Sequence, residues 1–277
     1  MKNVIYLLIL LPLLLTSCED VIDINLKQGA SALTVDGWIT TEDKPYIIKL
    51  SKTGPYFDST RTPAVRGAMV TITDSEGHKD SLIEVSPGEY ATLENRKGKV
   101  GNSYILNIQI EGERYAATTE IKRVEVIDSL TLKYEDNIKE DKRGYNVYYF
   151  GNESAGMGDY YKFRITRNDT LLNKPEDVWN ITSDEWVDGN YIADLKMYNL
   201  LKPGGKIKIE TMSITKDAYQ FYVELAAQVN NGGMFSNPPA NIRTNVINLN
   251  PNSNKRAVGY FGGSAISSME IRAPFRD

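Results

Sequence analysis

SYILNIQIEGERYAATT, residues 103–119, reads as two strands joined by a tight turn. Tyr104, Leu106, Ile108 and Ile110 fall on one side of the first strand, the period-two spacing that puts alternate side chains on one face of a sheet. Glu111-Gly112-Glu113 then turns the chain into Arg114–Thr119. The same grammar runs back toward the N-terminus. Ser81–Val85 and Glu89–Leu93 flank the turn Ser86-Pro87-Gly88, and Val70 and Ile72 alternate with Thr71 and Thr73 within 68–74. Two further strands are expected at 46–52 and 33–40, the latter with an internal Gly37 that suggests a bulge. About seven short strands with turns between them predict a mainly β chain whose residues 28–122 form an immunoglobulin-like β-sandwich.

Downstream, 120–130 reads as a connector into a second β unit, 123–277. Leu130–Tyr134 and Tyr145–Phe150 are its first candidate strands. Tyr161, Phe163 and Ile165 alternate with Lys162, Arg164 and Thr166, and the chain turns at Asn168-Asp169. More strands are expected at 177–182, 206–214, 244–249, 256–262 and 266–272. One helix interrupts them. Ala218, Phe221, Tyr222, Leu225, Ala226 and Val229 make an apolar stripe at helical spacing over 215–229. Thr215 suits the N-cap and Asp217 the positive first turn, while Asn230-Asn231-Gly232-Gly233 stops the helix.

The first residues give an address. Lys2 precedes an apolar run, Val4–Leu15, which is too short for the roughly 20 residues of a spanning helix. The layout is that of a secretory signal, residues 1–17. Leu15-Thr16-Ser17-Cys18 resembles a bacterial lipobox, which implies lipidation of Cys18 and a lipidated tether over 18–27. Glu19-Asp20 directly after Cys18 resemble the export signal of Bacteroidetes surface lipoproteins. The expected location is therefore the outer membrane, lipid-anchored and facing the cell exterior.

Composition narrows the chemistry. Removing residues 1–17 of 277 leaves 260 residues, with 41% apolar and 25% charged residues overall, as in a folded globular body. The net charge of −4 carries no basic footprint for nucleic acid. Cys18 is the single cysteine, so its acylation leaves no thiol for disulfides, nucleophilic attack or metal. The one histidine, His78, follows the hairpin-turn sequence Asp74-Ser75-Glu76-Gly77 and reads as an exposed turn residue. No catalytic residues, metal ligands or cofactor motif are assigned. The carboxylate pairs Glu176-Asp177 and Asp184-Glu185 read as solvated loops. Asp58-Ser59-Thr60, Asp80-Ser81-Leu82, Asp128-Ser129-Leu130 and Asp169-Thr170-Leu171 resemble O-glycosylation sites of Bacteroidetes proteins.

Aromatic residues are the remaining signal: 17 Tyr, 7 Phe and 3 Trp. Those of the middle third, including Tyr148, Tyr149, Trp179 and Trp186, are either strand packing or a ligand platform, since aromatic faces suit both. In 232–242, two glycines and Pro238-Pro239 fix a loop that either seats Phe235 in a core or presents Phe235, Asn237 and Asn241 for recognition.

That last segment, Asn230-Asn231-Gly232-Gly233-Met234-Phe235-Ser236-Asn237-Pro238-Pro239-Ala240-Asn241-Ile242, together with Val258-Gly259-Tyr260-Phe261 and the opening Cys18-Glu19-Asp20-Val21-Ile22-Asp23-Ile24, resembles the Bacteroidetes lipoprotein family known as domain of unknown function 4249. The resemblance implies an outer-membrane lipoprotein, often encoded beside TonB-dependent receptors, and no catalytic residues. The functional expectation is a non-catalytic binding or accessory module partnering such a receptor. The alternative is a structural or adhesive surface lipoprotein without a small-molecule ligand.

Overall fold

The computed structural model describes residues 31–54, 62–137, 139, 142–174, 177–178, 180–229, 231 and 240–276. The signal, Cys18 and the tether lie outside them, as do Trp179, Phe235, Asn237 and Asp58-Ser59-Thr60. The chain is mainly β. In order, the strands are β1 Leu33–Thr40, β2 Ile47–Lys52, β3 Met69–Asp74, β4 Lys79–Ser86, β5 Glu89–Ala91, β6 Ser103–Ile110, β7 Glu113–Glu120, β8 Ile127–Glu135 and β9 Gly144–Asn152. They continue with β10 Tyr160–Arg167, β11 Thr170–Leu171, β12 Ile181–Ser183, β13 Tyr191–Leu201, β14 Lys206–Ile214, helix α1 Lys216–Val229, β15 Ile247–Asn248, β16 Ala257–Ser264 and β17 Ile266–Arg272.

The β6–β7 hairpin forms as its sequence dictates. Glu111 and Gly112 take positive φ of 49° and 77°, the two-residue geometry whose twist matches the flanking strands. Tyr104, Leu106 and Ile108 are buried, while Ile105 on the opposite face is exposed. Asn168 and Asp169, φ 46° and 62°, close β10 onto β11 in the same way.

The first sheet runs β15-β7-β6-β3-β4-β5-β2-β1-β16. Its inner faces share one core, with Val35, Ile48, Leu106, Ile121 and Phe261 fully buried. The 28–122 segment supplies seven of these strands; 123–277 returns two, β15 antiparallel to β7 and β16 parallel to β1. The sheet folds back on itself. Asn245 ties β7 to β16: its Nδ2 donates to the carbonyls of Thr118 (3.1 Å) and Phe261 (2.7 Å), and its Oδ1 accepts from Phe261 N–H at 3.0 Å.

The second lobe pairs a sheet ordered β11-β10-β14-β17, with β12 also on β10, and a sheet ordered β13-β9-β8. Tyr145, Val147, Tyr149, Ile165, Ile207 and Ile209 fill the space between them. β13 is absent from the sequence reading because its alternation is broken. Asp194 and Leu200 have positive φ (56° and 57°), and the pairing with β9 shifts register three times. Only Ala265 separates β16 in the first sheet from β17 in the second. Ser213 on β14 pins that crossover: its Oγ donates to Lys122 O (2.7 Å) and accepts from Ala265 N–H (2.9 Å).

Helix α1 starts at Thr215, whose Oγ1 accepts from Ala218 N–H at 3.2 Å. Its stripe buries Ala218 and Ala226 and turns Phe221 and Tyr222 toward Trp38 and Tyr260. No helix among the described residues is long and apolar enough to cross a membrane.

Candidate functional site

A groove of about 310 Å³ runs between the outer face of β1–β2, the outer face of β10–β14 and helix α1. Strand alternation places its walls. On β1, Val35, Gly37 and Ile39 point into the first core, so Asp36 and Trp38 point out. On β10, Tyr161 and Ile165 are buried in the second lobe, so Lys162 and Arg164 face the groove. Tyr222 comes from the helix.

The Trp38 ring lies 6.1 Å from Tyr222 and 6.3 Å from Tyr260, at interplanar angles of 20° and 28°. It can do so because its cross-strand partner is Gly262, where a Cβ would come within 2.3 Å of the indole. Lys162 Nζ sits 3.7 Å from the centre of the Tyr222 ring. Burial, with Arg164 adding repulsion, pushes the lysine down to about 8 from the usual 10.5. Burial also raises the Asp36 carboxyl, with Lys49 and Lys162 opposing. Asp36 is exposed at the rim, so water screens much of that effect.

The neighbouring cation is already neutralised. Arg164 donates from Nε (2.7 Å) and Nη2 (2.9 Å) to the two oxygens of Glu210, and Lys208 Nζ adds a bond at 2.8 Å. Burial pushes the Glu210 carboxyl up, but these two cations outweigh it and hold it below the usual range. Lys162 and Asp36, by contrast, form no ion pair or side-chain hydrogen bond among the described residues. The groove thus offers an aromatic wall with the Lys162 ammonium on it, and a rim that carries Asp36, Lys49 and Glu89.

The family model described as Domain of unknown function (DUF4249) matches residues 19–270. The chain belongs to that family. Among curated proteins none matches it. The DUF4249 assignment agrees with the resemblance read from the sequence, and the matched span takes in every wall of the groove.

The residues singled out from sequence lie elsewhere. Tyr148 and Tyr149 point to opposite faces of β9. Tyr148 is half-buried with Lys133 Nζ 4.4 Å from its ring centre, and Tyr149 is 4% exposed, edge-on to Phe163 at 6.2 Å. Trp186 is 86% exposed in the turn before β13. Asn241 is exposed beyond the helix. The sequence assigns no ligand role to Trp38, Asp36 or Lys162, and places Tyr222 only in the packing stripe of the helix. The legible signal was the pair of aromatics within the helical stripe, since an aromatic stripe needs a packing surface or a ligand.

Two sequence expectations are overturned: Gly37 makes no bulge, since β1 keeps an unbroken register with both β2 and β16 through it, and Asp184 is not a solvated loop acid. Asp184 is 2% exposed rather than solvated, because its Oδ2 accepts the backbone N–H groups of Gly158 (2.7 Å) and Asp159 (3.0 Å). It lies within 4.8 Å of carboxylate oxygens from Glu153 and Asp159. Glu153 accepts the Tyr161 hydroxyl at 2.7 Å, and burial raises its carboxyl. Arg123 already faces this cluster, donating to Asp159 at 2.7 Å and to the carbonyl of Ala155 at 3.1 Å. His78 is where the sequence put it, exposed on the Asp74–His78 turn.

Proposed function

We propose that this DUF4249 chain is a lipid-anchored, non-catalytic binding module of the outer membrane, facing the cell exterior, that partners a TonB-dependent receptor and presents the inter-lobe groove to a small ligand. The observation that carries the reading is the groove itself. It gathers Trp38, Tyr222, Lys162 and Asp36 from three separate parts of the chain, and it leaves the last two without an ion pair or side-chain hydrogen bond among the described residues. Pockets that bind small molecules combine an apolar wall with a few placed polar groups in this way. Cys18 and its lipobox support the anchor, and the position of Glu19-Asp20 supports the outward face.

Two measurements test the proposal. Metabolic labelling with a clickable fatty acid is expected to mark the wild-type protein and not Cys18→Ser. Purification from native membranes in mild detergent is expected to enrich a TonB-dependent receptor with it. Recovery of the protein alone in repeated preparations, with glycan and peptide arrays blank, would favour the adhesive or structural alternative.

A further inference from the structure

The groove has an imbalance that points to the chemistry of its occupant. Lys162 carries three N–H donors and can accept nothing in return. Its side chain is half-buried, its ammonium rests on the Tyr222 ring, and it makes no ion pair or side-chain hydrogen bond among the described residues. The attraction of a cation to an aromatic face does not replace the hydrogen bonds that burial removes. Arg164, two residues along the same face of β10, shows what a satisfied cation looks like here: both of its forked donors meet Glu210. The acids that attract Lys162 are Asp177, the stronger, and Asp36, and neither forms an ion pair with it among the described residues. No oxygen of Asp36 lies within ion-pair distance, and Asp36 also faces Lys49 across the β1–β2 ladder.

We propose that the groove takes a small organic carboxylate, with Lys162 pairing to its anionic group and Trp38 and Tyr222 packing on its carbon skeleton. A monoanion fits better than a phosphate dianion. The site supplies point-charge ammoniums, Lys162 within and Lys49 exposed at the rim, rather than a free bidentate guanidinium or a set of backbone N–H groups, and Asp36 and Glu89 in the walls would repel a second negative charge. The proposal rests on the reading of the groove as a ligand site and adds the charge of the ligand.

The experiment uses matched probes that differ in charge: D-glucuronate against D-glucose, and N-acetylphenylalanine against its amide. The full-length lipoprotein in detergent is treated with a trace amine-acylating reagent at pH 8, and Lys162 modification is followed by mass spectrometry. At 20 mM, at least one acid is expected to slow labelling of Lys162 threefold or more while its neutral partner leaves the rate within a factor of 1.5. Exposed lysines such as Lys97 serve as internal controls. Lys162→Arg is expected to keep the acid-over-neutral preference in a thermal-shift assay, and Lys162→Met to abolish it. Equal protection by acid and neutral partner would overturn the charge assignment and leave the groove as a ligand site. No protection by any probe would overturn the carboxylate proposal outright. The membrane co-purification, which does not depend on Lys162, decides the receptor reading separately.

Discussion

Replacing Lys162 by methionine is expected to make the protein more stable, and the gain should depend on pH. Burial holds the folded-state lysine at about 8 against an ordinary 10.5. Each tenfold change in proton affinity is worth about 1.4 kcal/mol, so keeping the ammonium charged in the fold costs up to about 3 kcal/mol at neutral pH. Water reaching a half-buried side chain and the attraction of the Tyr222 ring reduce this to roughly 1–2 kcal/mol. Methionine keeps nearly the same length without the charge and fits irregular apolar space. The sign follows from proton counting. Below about pH 8 both folded and unfolded wild type hold the proton, and the penalty is present in full. Between about 8 and 10.5 the unfolded chain holds a proton that the fold has lost, so wild-type stability rises with pH across that window. Lys162→Met should therefore exceed wild type by about 1–2 kcal/mol at pH 7, a few degrees in Tm for a chain of this size, and by close to nothing at pH 10.5. Urea titrations followed by circular dichroism at the two pH values measure it, and the difference between the two proteins cancels the titration of other groups. A variant less stable than wild type at pH 7, or a stability difference that ignores pH, would refute the account of Lys162 as an unpaired buried cation.

Other substitutions probe the scaffold. Gly259→Ala meets two obstacles, a φ of +87° and a Cβ 2.1 Å from the Val35 carbonyl oxygen, so a loss of at least about 3 kcal/mol is expected in a urea titration. Gly262→Ala should push the Trp38 indole off its seat, costing about 1–3 kcal/mol and changing the near-ultraviolet circular dichroism of the aromatic cluster. Asn245→Ala removes three hydrogen bonds between β7 and β16. About 2–3 kcal/mol should be lost, with faster amide exchange at Phe261 reporting the opened seam. Arg164→Met leaves the buried Glu210 short of its main partner and should cost roughly 3–5 kcal/mol at pH 7. That loss should shrink as acid protonates the carboxylate, because the wild-type contribution of a depressed Glu210 is itself lost on acidification.

The amino-acid sequence by itself determined the local pieces. Alternation in 103–110 and 160–166 settled which side chains point inward, because a strand's two faces are fixed by the pleat. The turns at Glu111-Gly112 and Asn168-Asp169 and the cap at Thr215 were legible for the same reason: each depends on a few neighbouring residues. The family was legible too, from motifs at fixed spacing. Tertiary structure alone decided the partners. Periodicity says that 257–264 is a strand but not that it pairs in parallel with β1, more than two hundred residues earlier, so the groove that this pairing helps to frame could not be foreseen. Asp184 looked like a loop acid until the fold brought the N–H groups of Gly158 and Asp159 to it. Asp36, Lys162 and Tyr222 are unremarkable in their own segments. They acquire their shifted proton affinities only where β1, β10 and α1 converge, because desolvation and charge proximity are properties of a place in space and not of a position along the chain.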